Sequence, residues 1–231
     1  MNQDITRLYF ALTNFCNRAC ELCSCHSDPS RGTFLSFEQF LDILKPHAHY
    51  EAQLEGGEPT IHPDFERMVQ YCMNDQACDK VVLCTNAVVV PIQLHEGQVQ
   101  AEASLVKVRQ WLSQFQAKPF VLKPSINSHL IQHSRVHMQK MVLLAKAWDS
   151  MEWKEGSQLL YNVRRIPAPM TPDGEQWMVE QLKTLELYER CNDFFYQRYG
   201  KAKDEEDLAV PYIISNPVKF YLIAPDGKNF D

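Results

Sequence analysis

The sequence lacks any apolar run that approaches the roughly 20 residues needed to cross a membrane. Its first residues, Met1 to Asp4, also lack the basic and then apolar pattern of a secretory signal peptide. We therefore expect a cytoplasmic protein with no membrane partner. In that compartment cysteines serve as metal ligands or free thiols more often than as disulfides, and the sequence has eight of them.

Positive charge is also in deficit, with 23 Lys and Arg residues against 29 Asp and Glu residues and a net charge of -6. Nucleic-acid-binding surfaces depend on Lys and Arg for phosphate contacts, so we expect no nucleic-acid partner. Internal repeats and low-complexity tracts are absent as well. The length of 231 residues is enough for one sizeable core.

What the sequence does contain is a compact set of cysteines. Cys16, Cys20 and Cys23 follow the apolar run at residues 8–12 with the spacing C-x-x-x-C-x-x-C, which predicts three thiolates in one loop after a strand. A structural zinc site uses four protein ligands and a ferredoxin-type cluster uses four cysteines. Three thiolates therefore indicate a cluster with one iron open to another ligand. The alternative is a zinc loop in which Cys25 supplies the fourth thiolate.

A second motif begins at residue 54 and reads Leu54-Glu55-Gly56-Gly57-Glu58-Pro59-Thr60. Together, the two motifs resemble those of radical S-adenosylmethionine (radical SAM) enzymes, in which a Gly-Gly-Glu-Pro loop follows the second barrel strand. The resemblance implies one 4Fe-4S cluster on Cys16, Cys20 and Cys23, whose open iron is chelated by S-adenosylmethionine. Reductive cleavage of that cofactor yields a 5'-deoxyadenosyl radical, which abstracts hydrogen from a substrate.

Strand and helix patterns alternate along the chain, which is typical of an α/β protein with a parallel sheet. We expect strands at residues 6–12, 50–55, 81–86, 120–127, 159–165 and 193–198, and helices at 36–44, 63–73, 101–115, 136–148 and 175–189. Six such units fit the partial (βα)6 TIM-like barrel of the family, which we assign to residues 1–199. Residues 200–231 are predicted to form a short C-terminal hairpin extension packed on the core. That segment adds no cysteines, so we expect one cluster and no SPASM or twitch domain.

The resemblance also places cofactor-binding residues at the carboxyl ends of the strands. Glu58 would accept from the methionine ammonium or, alternatively, cap the next helix. Arg164 would pair with the methionine carboxylate if it, and not Arg165, faces the barrel interior. Leu22 stands where most of the family has an aromatic residue over the adenine. The full predicted set is Leu22, Gly56, Gly57, Glu58, Pro59, Asn86, Ser125, Asn127, Asn162 and Arg164. For Ser125 and Asn127 the alternative is an ordinary Ser or Asx turn.

Fewer residues point to the substrate. Cys191 is a candidate hydrogen-atom donor or else a packed core residue. His129, His133 and His137 recur every four residues, which predicts one helical face that binds substrate or metal or is simply solvated.

The stretch at residues 12–14 and the motif at residues 55–65 are most similar to family members that modify ribosomally made peptides. We therefore expect a peptide or small-molecule substrate and a one-electron donor such as flavodoxin or ferredoxin. The alternatives are an activase of a glycyl-radical enzyme and a non-enzymatic, zinc-bound interaction module.

Overall fold

The computed structural model describes residues 6–167, 171, 173–196 and 220–228. The strands are β1 (Thr6–Thr13), β2 (Tyr50–Gly56), β3 (Cys78–Thr85), β4 (Leu94–His95), β5 (Gln98–Val99), β6 (Phe120–Ile126), β7 (Gln158–Leu159), β8 (Tyr161–Arg165), β9 (Cys191–Phe195) and β10 (Phe220–Ile223). The helices are α1 (Phe37–Leu44), α2 (Phe65–Asn74), α3 (Ala101–Ser113), α4 (Ser128–Gln132), α5 (His137–Asp149) and α6 (Gln176–Thr184). Among the helices described, none has both the length and the apolar content to cross a membrane.

One parallel sheet runs in the order β10-β1-β2-β3-β6-β8-β9, with β7 also paired to β6. Strands that follow one another in sequence across a helix are neighbours in this sheet, as expected of repeated βαβ units. The arrangement confirms the predicted α/β class and fits a partial (βα)6 barrel. Strands β4 and β5 form a separate antiparallel pair.

Side chains alternate between the two faces of each strand because the period of a strand is two residues. On β2, Tyr50, Ala52 and Leu54 are fully buried against the helices. The alternate residues on β2, Glu51, Gln53 and Glu55, are half-buried on the opposite, inner face of the barrel. The apolar core therefore lies between the sheet and the helices, and the inner face is polar.

Pro124 sits inside β6, although proline has no N–H to donate to a neighbouring strand. On one side β6 pairs with β7 at Val121 and Leu122 and with β8 only from Ser125 onward. The ladder on that side is thus interrupted around Pro124, so the missing donor costs little there. The same interruption explains why one predicted strand at residues 159–165 is divided into β7 and β8.

The helix predicted at residues 175–189 ends earlier than expected. Helix α6 stops at Thr184, and a short 3₁₀ turn follows at Tyr188–Arg190. Glu186 lies in the left-handed region with φ of 57°, and the N–H of Leu187 donates to the carbonyl of Leu182 at 2.8 Å. A left-handed residue with such a bond is a common way to end a helix.

The C-terminal strand β10 adds to the sheet edge, where it pairs in parallel with β1. A tight turn follows, in which the N–H of Gly227 donates to the carbonyl of Ala224 at 2.9 Å. Any second arm of the predicted hairpin lies past Lys228, outside the described residues, as does the end of the predicted sixth strand at residues 197–198. The predicted boundary between residues 199 and 200 also lies there, so that division stays a prediction.

Candidate functional site

The cysteine loop leaves β1 at Thr13 and is closed at its base. The hydroxyl of Thr13 donates to the carbonyl of Thr33 at 2.8 Å, and the N–H of Thr33 donates to Oδ1 of Asn14 at 2.8 Å. Further along, the N–H of Cys16 donates to the carbonyl of Asp28 at 3.3 Å. These bonds hold the loop above the carboxyl end of the sheet, where parallel barrels carry their chemistry.

The three predicted ligands lie within this one loop, as the sequence indicates. Cys16 is buried, whereas Cys20 and Cys23 are half-buried. Burial raises the pKa of Cys16 to about 12, and the charges of Glu58, Cys23 and Cys20 act in the same direction. Three thiolates so placed repel one another, so the set suits a group that brings positive charge.

Within the described part of the chain, no three His, Cys, Asp or Glu side chains lie close enough to hold one ion. Zinc requires its four ligands around one point, whereas the thiolates of a cluster bind different irons. Burial raises the pKa of Cys25 well above its usual value, and the charges of Glu55 and Cys23 act in the same direction. The structure thus gives no support to the zinc loop.

Gly56 and Gly57 are required by the backbone of the cysteine loop. The N–H of Gly57 donates to the carbonyl of Thr13 at 2.6 Å, and a Cβ on Gly57 would lie 2.0 Å from the carbonyl oxygen of Phe15. Gly56 has a φ of 118°, and a Cβ there would lie 2.5 Å from the carbonyl oxygen of Thr13. The close approach seen at these two glycines is to the neighbouring loop of this chain.

Glu58 is fully buried and accepts four hydrogen bonds. Its Oε1 accepts from the hydroxyl of Thr60, from the N–H of Thr60 at 3.3 Å and from the hydroxyl of Thr85 at 2.7 Å. Its Oε2 accepts from the N–H of Asn86 at 2.7 Å. Burial raises the pKa of Glu58, and these bonds oppose the rise. The carboxylate of Glu58 thus caps the turn that begins at Pro59, as the capping alternative predicts. The same carboxylate links that turn to the end of β3.

Asn86 links the end of β3 to the cysteine loop. Its Nδ2 donates to Oδ1 of Asn17 at 2.8 Å and to Sγ of Cys16 at 3.5 Å. A donor to the sulfur stabilises the thiolate form of a cysteine. Asn86, a predicted cofactor residue, is thus joined to a predicted cluster ligand by a side-chain hydrogen bond.

Lys140, which sequence reasoning missed, supports the segment after Asn86. Its Nζ donates to the carbonyls of Ala87 at 3.1 Å and Val88 at 2.8 Å, and Ala87 has a φ of 60°. Burial lowers the pKa of Lys140 to about 8. The signal in the sequence was a lysine at a core-facing position of an otherwise apolar helix stripe.

The polar residues after β6 have structural partners. Oδ1 of Asn127 accepts from the N–H of Leu130 at 2.8 Å and caps α4, as the Asx alternative predicts. Ser125 lies on the inner face of β6, and its carbonyl accepts from Nε2 of His137 at 3.0 Å. His129 and His133 stack with ring centroids 4.0 Å apart. His137 is buried at the start of α5, separated from α4, so the predicted single histidine face does not form.

The two arginines of β8 face opposite sides. Arg165 forms an ion pair with Asp193, with 2.7 Å between Nε and Oδ1. Arg164 lies with its guanidinium 3.2 Å from the ring centroid of Phe194, and burial lowers its pKa to about 10, with Tyr196, Cys84 and Glu55 opposing. Arg164 is thus the inner residue of the pair, on the same face of β8 as Asn162.

Leu22 is buried and packs against Ile166 and Tyr196 above the barrel. Tyr196 was not among the predicted site residues. Its pKa is raised, first by burial and then by the charge of the nearby Cys20. Cys191 is the first residue of β9, at the strand end away from the cysteine loop, and its thiol donates to the carbonyl of Leu187 at 3.4 Å. The structure therefore does not bring Cys191 to the other predicted site residues.

Residues 10–101 match the family model described as the Radical SAM superfamily. No curated protein matches the sequence significantly. Among solved structures, the crystal structure of Streptococcus suis SuiB bound to precursor peptide SuiA is similar, with a TM-score of 0.52 and 13% sequence identity. The match covers 90% of this chain and 42% of that chain, so this chain spans less than half the length of its structural neighbour. At that identity the likeness concerns the fold.

Proposed function

We propose that the chain is a radical SAM enzyme with one 4Fe-4S cluster held by Cys16, Cys20 and Cys23, and the match of residues 10–101 to the Radical SAM family model supports this. When bound, the cluster and S-adenosylmethionine supply a 5'-deoxyadenosyl radical that abstracts hydrogen from a substrate.

The observation that carries this proposal is the contact between the two motif loops. Glycine is the residue that allows the loop after β2 to lie against the cysteine loop, since a Cβ on Gly57 would lie 2.0 Å from a backbone oxygen. Asn86 adds a hydrogen bond to Sγ of Cys16. The chain thereby fixes the thiolate loop from two neighbouring strands, and a fixed loop is what a cluster site needs.

For the cofactor we propose two groups of residues. Ser125, Asn162, Arg164 and Leu22 would contact S-adenosylmethionine directly, with Arg164 as the fork-shaped donor to its carboxylate. Ser125 lies near the carboxyl end of β6 and Arg164 near that of β8, whereas Asn162 pairs with Ser125 in the register between the two strands. The second group, Gly56, Gly57, Glu58, Pro59, Asn86 and Asn127, would shape the site through backbone groups and through the bonds described above.

For the substrate we propose a peptide or small molecule, with reduction by a one-electron donor such as flavodoxin or ferredoxin. A peptide is supported by the structural neighbour, which was crystallised with a precursor peptide. The position of Cys191 gives no support to its role as hydrogen donor. We also propose a cytoplasmic location and a division into a core at residues 1–199 and an extension at 200–231.

The test is to purify the protein without oxygen, reconstitute it with iron and sulfide, reduce it with S-adenosylmethionine present and assay 5'-deoxyadenosine. We expect about four irons per chain, as one cluster requires, together with the nucleoside product. Cys20→Ser should lose both, whereas Cys25→Ser, a matched change in the same loop, should keep both. One zinc per chain with no nucleoside product would refute the proposal.

A further inference from the structure

A cavity of about 180 Å³ lies inside the barrel at the amino ends of the strands. A single water needs about 10–15 Å³ of such space, so the cavity holds several waters or one small molecule. Its polar lining residues include Arg7, Glu51, Gln53, Lys80, Lys123 and Gln158. The cysteine loop follows the opposite, carboxyl end of β1, so this cavity is separate from the site proposed above.

The lining carries more positive than negative charge. Nε of Arg7 lies 2.6 Å from one oxygen of Glu51, and Nζ of Lys80 lies 2.9 Å from the other. Burial opposes ionisation of Glu51, but the hydrogen bonds from Lys80 and Arg7 outweigh it and lower the pKa of this carboxyl. One ionised carboxylate thus pairs with two cations, so the triad of Arg7, Glu51 and Lys80 has a net charge of +1.

Lys123 adds a second unbalanced charge to the cavity. It lies on the inner face of β6 opposite Cys84 in the register, and it has no hydrogen-bond or ion-pair partner within the described part of the chain. Glu55 interacts electrostatically with Lys123. Burial is the main cause that raises the pKa of Glu55, and the carboxylate of Glu55 accepts a hydrogen bond from Gln53. An ammonium without a hydrogen-bond partner in the cavity wall is available to an anion that enters the cavity.

The positive lining contrasts with the whole chain, which has a net charge of -6. A low-dielectric cavity lined by one sign of charge concentrates ions of the opposite sign. Side chains of Arg7 and Lys80 are 37% and 29% exposed, so small solutes reach the cavity from the amino end of the sheet. Arg and Lys together are the usual binding groups for phosphate and carboxylate oxygens.

We propose that this cavity binds a small oxyanion, with Lys123 as the principal contact and the Arg7–Glu51–Lys80 triad as its charged wall. The amide of Gln158 lines the same space and supplies a neutral donor. The site takes phosphate or a small carboxylate. Binding of the anion requires neither the cluster nor S-adenosylmethionine, so the anion-site proposal can be tested independently of the proposed reaction.

Isothermal titration calorimetry of the reconstituted protein with inorganic phosphate tests the proposal, at ionic strength held constant with sodium chloride. Acetate and succinate titrations show whether carboxylates bind as well. We expect saturable binding of phosphate or succinate by the wild type, and at least tenfold weaker binding by Lys123→Met, because a charge-assisted contact is lost. Lys45→Met removes one positive charge from an exposed lysine and should bind like the wild type.

Two results would overturn the proposal. One is the absence of saturable binding of any of the three anions to the wild type, which needs no variant to fold. The other is equal affinity in Lys123→Met and Lys45→Met, because general charge attraction would then explain the binding.

Discussion

Replacing Gly57 by alanine forces the two motif loops apart. The added Cβ would lie 2.0 Å from the carbonyl oxygen of Phe15 and 2.6 Å from its carbon, whereas Cβ contacts below 3.0 Å essentially never occur. The cysteine loop must therefore move by about 1 Å or more. Overpacking costs about 1–3 kcal/mol, and loss of the 2.6 Å bond to Thr13 costs roughly 1 kcal/mol more. A shift of about 1 Å near a reacting centre reduces rates about a hundredfold.

The assay compares Gly57→Ala with Gly32→Ala, which lies in the same cysteine loop. A Cβ on Gly32 has its nearest neighbour, Cε2 of Phe34, at 4.0 Å, and the φ of Gly32 is not in the left-handed region. We expect Gly57→Ala to lose several kcal/mol of unfolding free energy in urea and most of its iron after reconstitution. Gly32→Ala should stay within about 0.5 kcal/mol. Wild-type stability and iron content in Gly57→Ala would refute the loop-contact argument.

Glu58→Gln should lower the unfolding free energy by about 2–3 kcal/mol, since a buried acceptor of four bonds becomes partly a donor. The exposed Glu38→Gln is the control in the same urea titration. Burial lowers the pKa of His137 from 6.5 to about 4. The unfolded chain therefore takes up a proton first, so the unfolding free energy is unaffected by His137 above pH 6.5 and falls by about 3 kcal/mol as the pH drops to 4. His137→Gln should reduce this fall in stability with pH, and an unchanged fall would contradict the prediction. Lys140→Met should cost about 1–3 kcal/mol through two unpaired carbonyls, whereas the exposed Lys146→Met on the same helix should be silent.

Periodicity and turn chemistry were enough to predict the parallel fold, because they are local properties of the chain. The predicted strand at residues 50–55 has its counterpart in β2, and the helix predicted to begin at Ser36 has a capping box there. The partner of Ser36 in that capping box is Gln39, whose side chain accepts from the N–H of Ser36 at 3.0 Å. Pro124 is tolerated in β6 because the ladder beside it is interrupted, and that interruption depends on two other strands.

The site was harder to predict because its contacts are long-range. Nothing near Gly57 in the sequence indicates that the backbone of Phe15 lies across from it, and the resemblance places Gly57 among the cofactor-binding residues. Glu58 was predicted to bind the cofactor for the same reason, because two of its hydrogen-bond donors, Thr85 and Asn86, lie at the end of another strand. The three histidines show the converse problem. Their spacing assumes one helix, whereas the chain turns between α4 and α5.

The bonds around Glu58 and Asn86 make the cysteine loop part of a network that reaches well beyond it. Lys140 holds the two carbonyls that follow Asn86, Asn86 contacts Cys16, and Glu58 joins the N–H of Asn86 to the turn after β2. Buried polar networks of this kind are stable only when every member is paired. A change at any member should therefore act on the loop as a whole, and the position of Cys16 depends on residues of β2, β3 and α5 as much as on its own neighbours in sequence.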